Sequence, residues 1–152
     1  MDEEINMVEL REITTDNLDD VIKLTISEDQ EEFVSSTAYA LAQAWVYKDT
    51  AFPFAIYADN ELVGFIMLGY YEAKKQYTIW KFLIDECYQN RGYGKQALRL
   101  AINYLIERFH VSEIYVGTVI SNNIAKNLYY SLGFRETGET DERVLEMRLE
   151  IK

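Results

Sequence analysis

The segment Gln89-Asn90-Arg91-Gly92-Tyr93-Gly94 stands between the apolar run Trp80 to Ile84 and the amphipathic segment Lys95 to Phe109. This succession of strand, glycine loop and helix constrains the chain more than any other feature. The first turn of a helix leaves backbone N–H groups without partners, and glycine lets an anion approach them while the helix dipole adds a favourable field. The segment therefore predicts a site for a phosphorylated ligand. Three glycine-loop chemistries share that geometry. A Walker-type loop needs glycine at position 89 and Ser or Thr at position 96; both are Gln, so that reading fails. A dinucleotide fingerprint is matched by Gly92, Gly94 and Ala97 but also needs an acidic residue about 20 positions on. The next expected strand, Glu113 to Thr118, runs out in Gly117-Thr118-Val119 without one. What remains is Q-x-x-G-x-G, a pyrophosphate cradle that works without magnesium.

The apolar content of the flanking segments is part of a wider pattern. A chain of 152 residues with 49% hydrophobic residues has the size of one domain around one core, and residues 1–152 are expected to form it. The longest apolar stretches, Leu62 to Leu68 and Ile79 to Ile84, are too short to span a bilayer, and the start Met1-Asp2-Glu3-Glu4 is acidic, so no membrane is expected and the cytoplasm is the default location. One cysteine, Cys87, forbids an internal disulfide; at a strand end and with no histidine near it in sequence, it reads as a small filler. Fifteen basic against twenty-six acidic residues give a net charge of −11, which argues against nucleic acid as a partner. Acids gather at Glu28-Asp29-Gln30-Glu31-Glu32 and at Glu136, Glu139, Asp141 and Glu142, a distribution that suits either a cationic substrate or plain solubility.

Periodicity gives a mixed α/β order of strand, helices, two strands, a third strand, helix, strand, helix and two strands. Met7 to Ile13 alternates weakly, and Thr15-Asp16 can cap a helix through Ile26 with Leu18, Val21, Ile22 and Thr25 on one face. A shorter helix is expected over Thr37 to Tyr47. Pro53 marks a strand start, and Phe54 to Ala58 joins Leu62 to Gly69 through the hairpin turn Asp59-Asn60. Tyr77 to Asp85 makes the central strand. The helix after the glycine loop buries Ala97, Leu98, Ala101, Ile102, Leu105 and Phe109.

A second constellation begins 28 residues beyond Gly94: Asn122-x-x-Ala125-x-x-Leu128-Tyr129-x-x-x-Gly133-Phe134. Its helix starts at Asn122 and ends at Gly133, a left-handed C-cap. With both segments in order, the chain resembles the GNAT superfamily of acetyl-CoA-dependent N-acetyltransferases, whose signatures are Q/R-x-x-G-x-G/A and N-x-x-A-x-x-L-Y-x-x-x-G-F. The stretch Phe82-Leu83-Ile84-Asp85-Glu86-Cys87-Tyr88-Gln89 and the early Gln30-x-x-Phe33-Val34-x-Ser36-Thr37 are similar to the spermine/spermidine acetyltransferase branch. The resemblance implies an α/β acyl-CoA N-acyltransferase fold, a mostly antiparallel sheet with one splayed strand pair, flanked by helices.

By the same resemblance, acetyl-CoA lies in the splay as acetyl donor, its pantetheine pairing with backbone groups of Phe82, Leu83 and Ile84, which is the physics of strand addition. A backbone N–H there can also meet the carbonyl oxygen as charge develops on it. Gln89, Asn90, Arg91, Gly92, Tyr93, Gly94 and Lys95 would hold the pyrophosphate mainly through N–H groups, with charge added by Arg91 and Lys95. Asn122 either hydrogen-bonds the cofactor or serves as a helix N-cap. Tyr129 matches the family tyrosine that acts as general acid toward the cofactor sulfur; Tyr130 is its decoy neighbour. A phenol near pKa 10 can protonate a thiolate whose acid has a pKa of about 8.5. No metal is implied.

The general base departs from the pattern. Some relatives place Glu or Asp on the central strand just before the segment equivalent to Phe82-Leu83-Ile84, where this chain has Trp80 and Lys81. Glu28, Glu31, Glu32, Glu72 or a water relay are the substitutes, none assigned. The reaction expected is direct acetyl transfer to a small primary amine, a polyamine such as spermine or spermidine first. The alternatives are a protein or peptide, amino-acid or antibiotic amine as acceptor, or a silent acyl-CoA-binding sensor. Many relatives form a homodimer through the C-terminal strands, here Arg135 to Thr137 and Arg143 to Leu149. The apolar face Leu145, Met147, Leu149 and Ile151 serves either that contact or its own core.

Overall fold

The computed structural model describes residues 7–24 and 36–152. Seven strands form a single sheet: β1 (Val8–Arg11), β2 (Ala51–Ala58), β3 (Glu61–Tyr71), β4 (Gln76–Ile84), β5 (Glu113–Val119), β6 (Arg135–Asp141) and β7 (Val144–Glu150), in the order β1-β2-β3-β4-β5-β7-β6. Every neighbouring pair is antiparallel except β4 and β5, which run parallel. Helices α1 (Leu18–Ile22) and α2 (Thr37–Val46) pack on one face through Val21 and Ala40 against Ala55, Phe65 and Met67. Helices α3 (Tyr93–Phe109) and α4 (Asn123–Ser131) cover the other, where Ala97, Leu98, Ala101 and Leu105 meet Ile66, Leu68, Ile114 and Met147.

The hairpin turn at Asp59-Asn60 is present, both residues taking positive φ (51° and 69°) as a tight turn between twisted strands requires. Strand β2 starts at Ala51, two residues before the proline that the sequence makes its start. Pro53 is tolerated because β1 pairs only with Ala55–Ala58, leaving that flank of β2 open at position 53. Helix α1 is far shorter than its apolar spacing suggests: Asn17 replaces Thr15-Asp16 at its start, and only Val21 is buried, with Leu18 and Ile22 exposed. Thr25, Ile26 and the acidic segment Glu28 to Glu32, with Phe33 and Val34, lie outside the described residues.

The sheet has three register shifts among the described residues; one leaves Val63 extra between β2 and β3, and the other two shape the site. Between β3 and β4 the partner of Leu68 is Ile79 and that of Met67 is Lys81, so Trp80 is the extra residue. A bulge shifts the alternation by one, and Trp80 and Lys81 both turn toward the α1/α2 face. The second bulge lies in β6 between Glu136 and Thr140, at Gly138 with φ +93°, and lets the strand run on to Asp141, beyond the expected end at Thr137. The apolar face of β7 covers its own core through Leu145 and Met147. Both edges of β7 are taken, by β5 and β6, so the C-terminal edge of the sheet is β6 alone.

Candidate active site

Strands β4 and β5 share only two paired positions, Thr78 with Tyr115 and Ile79 with Val116. Beyond them β4 continues to Ile84 beside β3 and β5 continues to Val119 beside β7, so the facing edges from Trp80 and Gly117 onward have no strand partner. The segment Phe82 to Ile84 therefore has one edge without a strand partner, although the Leu83 carbonyl faces β3 and the Ile84 carbonyl is taken by Gln89, while its side chains fill the core on either side of the sheet.

At the end of β4, Asp85 accepts a hydrogen bond from the backbone N–H of Cys87 (3.0 Å) and opens a 3-10 turn over Glu86–Tyr88. Cys87 is exposed on this turn, which corrects its reading as a filler. A hydrogen bond to the Asp85 carboxylate raises the pKa of its thiol, so it stays protonated. Gln89 Nε2 donates to the Ile84 carbonyl at 2.8 Å and folds the loop back over the strand end. The chain then turns through two left-handed residues, Asn90 (φ 65°) and Gly92 (φ 84°), and α3 begins at Tyr93, two residues before its amphipathic pattern. The backbone N–H groups of Gly92, Tyr93, Gly94 and Lys95 donate to no acceptor among the described residues.

The two glycines have different tasks. A Cβ at Gly92 would meet nothing within 4 Å, so this position needs glycine for its backbone angle and leaves open space above the loop. A Cβ at Gly94 would stand 3.1 Å from Phe82 Cζ and 3.8 Å from Leu128 Cδ2. Gly94 is thus where the start of α3, the free-edged segment of β4 and helix α4 close on one another. Arg91 is exposed, its guanidinium 5.5 Å from the Tyr88 ring centroid.

Helix α4 brings the second motif to the same place. Asn122 is its N-cap, Oδ1 accepting from the Ala125 N–H at 3.2 Å, and its amide nitrogen has no partner among the described residues. Tyr129 is 5% exposed and packs edge-on to Phe134 at 5.5 Å. Its hydroxyl has no hydrogen-bond partner among the described residues, and burial alone pushes its pKa well above the usual phenol value. A buried hydroxyl without a partner is uncommon, since leaving it so costs about 1–3 kcal/mol. Tyr130 differs: its hydroxyl donates to Glu136. Four free N–H groups, open space at Gly92, a free amide and an orphaned phenol fit a ligand with a diphosphate at one end and a sulfur at the other.

On the α1/α2 face lie two adjoining cavities that share Tyr71 and Trp80 as a wall. The first, about 390 Å³, spans β4, β5 and the β6–β7 hairpin and is lined by Tyr115, Glu139, Asp141 and Glu146. Glu146 accepts from Thr137 Oγ1 at 2.9 Å and lies 3.7 Å from Lys74 Nζ. The second, about 490 Å³, lies between α2 and β4 and is lined by Gln43, Tyr47, Tyr70, Glu72 and Lys81. Sequence reasoning missed both; Gly138, the glycine of the β6 bulge, was the signal for the first. Of the substitute bases, Glu72 is exposed on the second cavity's rim, and Glu28, Glu31 and Glu32 fall outside the described residues. Among the described residues no group of three or more His, Cys, Asp or Glu is placed to hold a metal ion, and no helix is long and apolar enough to cross a membrane.

A sheet opened between two parallel strands, with a glycine loop at its mouth, is an acetyltransferase fold. Solved structures of that class superpose on the chain: spermidine N-acetyltransferase from Vibrio cholerae in complex with CoA and spermine (TM-score 0.75, 17% identity, 94% of this chain and 95% of that one). PaiA N-acetyltransferase from Thermoplasma acidophilum in complex with coenzyme A does so too (TM-score 0.72, 18% identity, 95% and 99%). In sequence, the chain is 35% identical over 144 residues to spermine/spermidine N(1)-acetyltransferase of Bacillus subtilis (strain 168), spanning 88% of this chain and 91% of the relative. Residues 18–134 match the Acetyltransferase (GNAT) family, and the chain belongs to it. It is an N-acetyltransferase.

Proposed function

We propose that the protein transfers the acetyl group of acetyl-CoA directly to a primary amine of a polyamine, spermine or spermidine, in the cytoplasm. The observation that carries the acceptor is the first cavity: beyond the Lys74–Glu146 ion pair, Glu139 and Asp141 supply negative charge, and Tyr71, Trp80 and Tyr115 supply the ring faces that attract ammonium groups. The name of the Bacillus subtilis relative supports the same substrate class.

Within this reading, the residues divide the work by their place in the fold. The free N–H groups of Gly92 to Lys95, aided by Arg91, hold the donor's pyrophosphate at the N-terminus of α3. The open edge of Phe82, Leu83 and Ile84 takes its pantetheine as an added strand, and Asn122 offers its spare amide. Acetyl-CoA supplies an activated acyl carbon. The acceptor nitrogen enters from the cavity side through the gap between β4 and β5 and attacks as the neutral amine. The Tyr129 hydroxyl protonates the departing sulfur; burial keeps it protonated at every working pH.

The test is thiol release from acetyl-CoA with spermine, spermidine, amino acids, aminoglycosides and short peptides, beside a Tyr129→Phe variant. Release that depends on polyamine and falls in the variant is expected. Release with another amine alone would discard the polyamine, and tight acetyl-CoA binding with no release would indicate a sensor.

A further inference from the structure

Lys81 stands at the mouth of the splay, two residues past Ile79, the last residue of β4 paired with β5. The bulge at Trp80 turns it onto the cavity face, opposite Met67, so it lines the second cavity rather than the α3 core. It is half-buried, and among the described residues its ammonium has neither ion pair nor hydrogen bond. Among the described residues the titratable groups facing it are Tyr47 from α2, Tyr70 and Tyr71 from β3 and Glu72 from the turn after it; Ser36 and Thr37 lie beneath. Of these only Glu72 is an acid, and it lies beyond ion-pair distance. Lys81 thus flanks the gap through which the acceptor nitrogen enters, across the shared Tyr71–Trp80 wall from the acidic first cavity, and among the described residues no carboxylate lies within ion-pair distance to hold it protonated.

We propose that Lys81 Nζ is the general base that takes a proton from the acceptor ammonium. The assignment rests on the amine-acetyltransferase reading above. Burial lowers the pKa of Lys81, and an acceptor ammonium entering the gap lowers it further by like-charge repulsion. The steps balance. Neutral Lys81 takes one proton from R–NH3⁺, and the freed lone pair forms the N–C bond to the acetyl carbon. The C–S bond breaks and the sulfur takes the Tyr129 proton. The nitrogen's next proton restores Tyr129, and Lys81 returns its own to water. One proton is released for each acetyl group moved, as R–NH3⁺ plus thioester giving amide plus thiol demands.

The experiment is the pH dependence of kcat, from pH 6.5 to 10, for wild type, Lys81→Met and Lys81→Arg. Isothermal titration with coenzyme A checks that each variant is folded. Both variants are expected to lose about 10²-fold or more in kcat at pH 7.5, the gap to wild type narrowing toward pH 10 as the acceptor sheds its proton to solvent unaided. Trimethylamine, which accepts a proton but yields no stable amide, is expected to restore part of the Lys81→Met rate. The assignment is overturned if Lys81→Arg stays active, if the loss is the same factor at every pH, or if Lys81→Met lowers KM for spermidine with kcat intact, which would make Lys81 a charge filter. Wild-type turnover with spermidine checks the acceptor separately. If another amine on the panel is the acceptor, the same pH comparison on that amine decides Lys81; no wild-type turnover with any amine overturns both.

Discussion

Gly69 of β3 and Trp80 of β4 are in direct contact: a Cβ on residue 69 would stand 2.4 Å from Trp80 Cε2, well inside any permitted approach. The missing side chain is what lets the bulged indole lie on the sheet and serve as the wall between the two cavities, where it also meets Tyr47 edge-on at 6.0 Å. Gly69→Ala is expected to displace the indole and cost about 1–3 kcal/mol by overpacking. Denaturant unfolding measures that cost. Steady-state kinetics should show KM for the amine rising with KM for acetyl-CoA little changed, because the cradle is on the other face.

Tyr129→Phe separates a chemical hydroxyl from a structural one. With no protein partner to lose, its removal should leave stability within about 0.5 kcal/mol or raise it slightly, while kcat falls about 10²-fold or more. The alkaline response has a definite sign. A phenol whose pKa is raised by folding contributes stability in full below pH 10, the unfolded value, and loses it as pH rises toward the folded one. Wild type should therefore lose more stability than Tyr129→Phe between pH 10 and pH 12, as thermal melts across that range will show.

The two cradle glycines should fail differently. Gly92→Ala places a Cβ in open space but on a left-handed backbone, costing about 1 kcal/mol, and it narrows the approach to the free N–H groups. Gly94→Ala sets a methyl against the Phe82 ring and wedges α3 from β4. Calorimetric titration with coenzyme A should show weaker binding in both, with the larger drop in melting temperature in the variant whose Cβ has neighbours.

Charge removal in the first cavity tests the acceptor's valence. Glu139→Gln with Asp141→Asn should raise KM for spermine about 10-fold, corresponding to about 1.4 kcal/mol, and raise KM for a monoamine much less. Added salt should shrink the difference, since these carboxylates are exposed and screened. An equal rise for both amines would show that the acids do not read the distal ammonium.

The parts of this structure that a local rule governs were legible in the sequence. Asp59-Asn60 announces its turn because only a few residues tolerate two positive φ values in succession, and Gly92 announces the left-handed entry to α3 because glycine takes a positive φ without strain. The two motif segments carried the family, since together they fix a strand, two helix starts and a buried phenol. What escaped is set by pairing between distant strands. Nothing near Trp80 marks it as a bulge; the cause lies at Gly69, eleven residues back on another strand. The β6 bulge depends likewise on register with β7, though Gly138 hinted at it. Strand β2 begins before its proline because β1 is short, which no window around Pro53 contains.

The sheet is sewn across its middle by a seam two residues long, Thr78–Ile79 against Tyr115–Val116. All strands to one side of the seam come from the first part of the chain and all to the other side from the last, so within the sheet this stitch is the only backbone pairing between the halves among the described residues. A molecule lodged in the gap would act as a temporary eighth strand, lending the halves the bonds they do not make to each other. Its departure after each turnover would return the enzyme to its looser form, so the cycle of binding and release is also a cycle of mending and opening. Amide hydrogen exchange at Lys81 to Ile84 and Gly117 to Val119 is where that alternation would be seen.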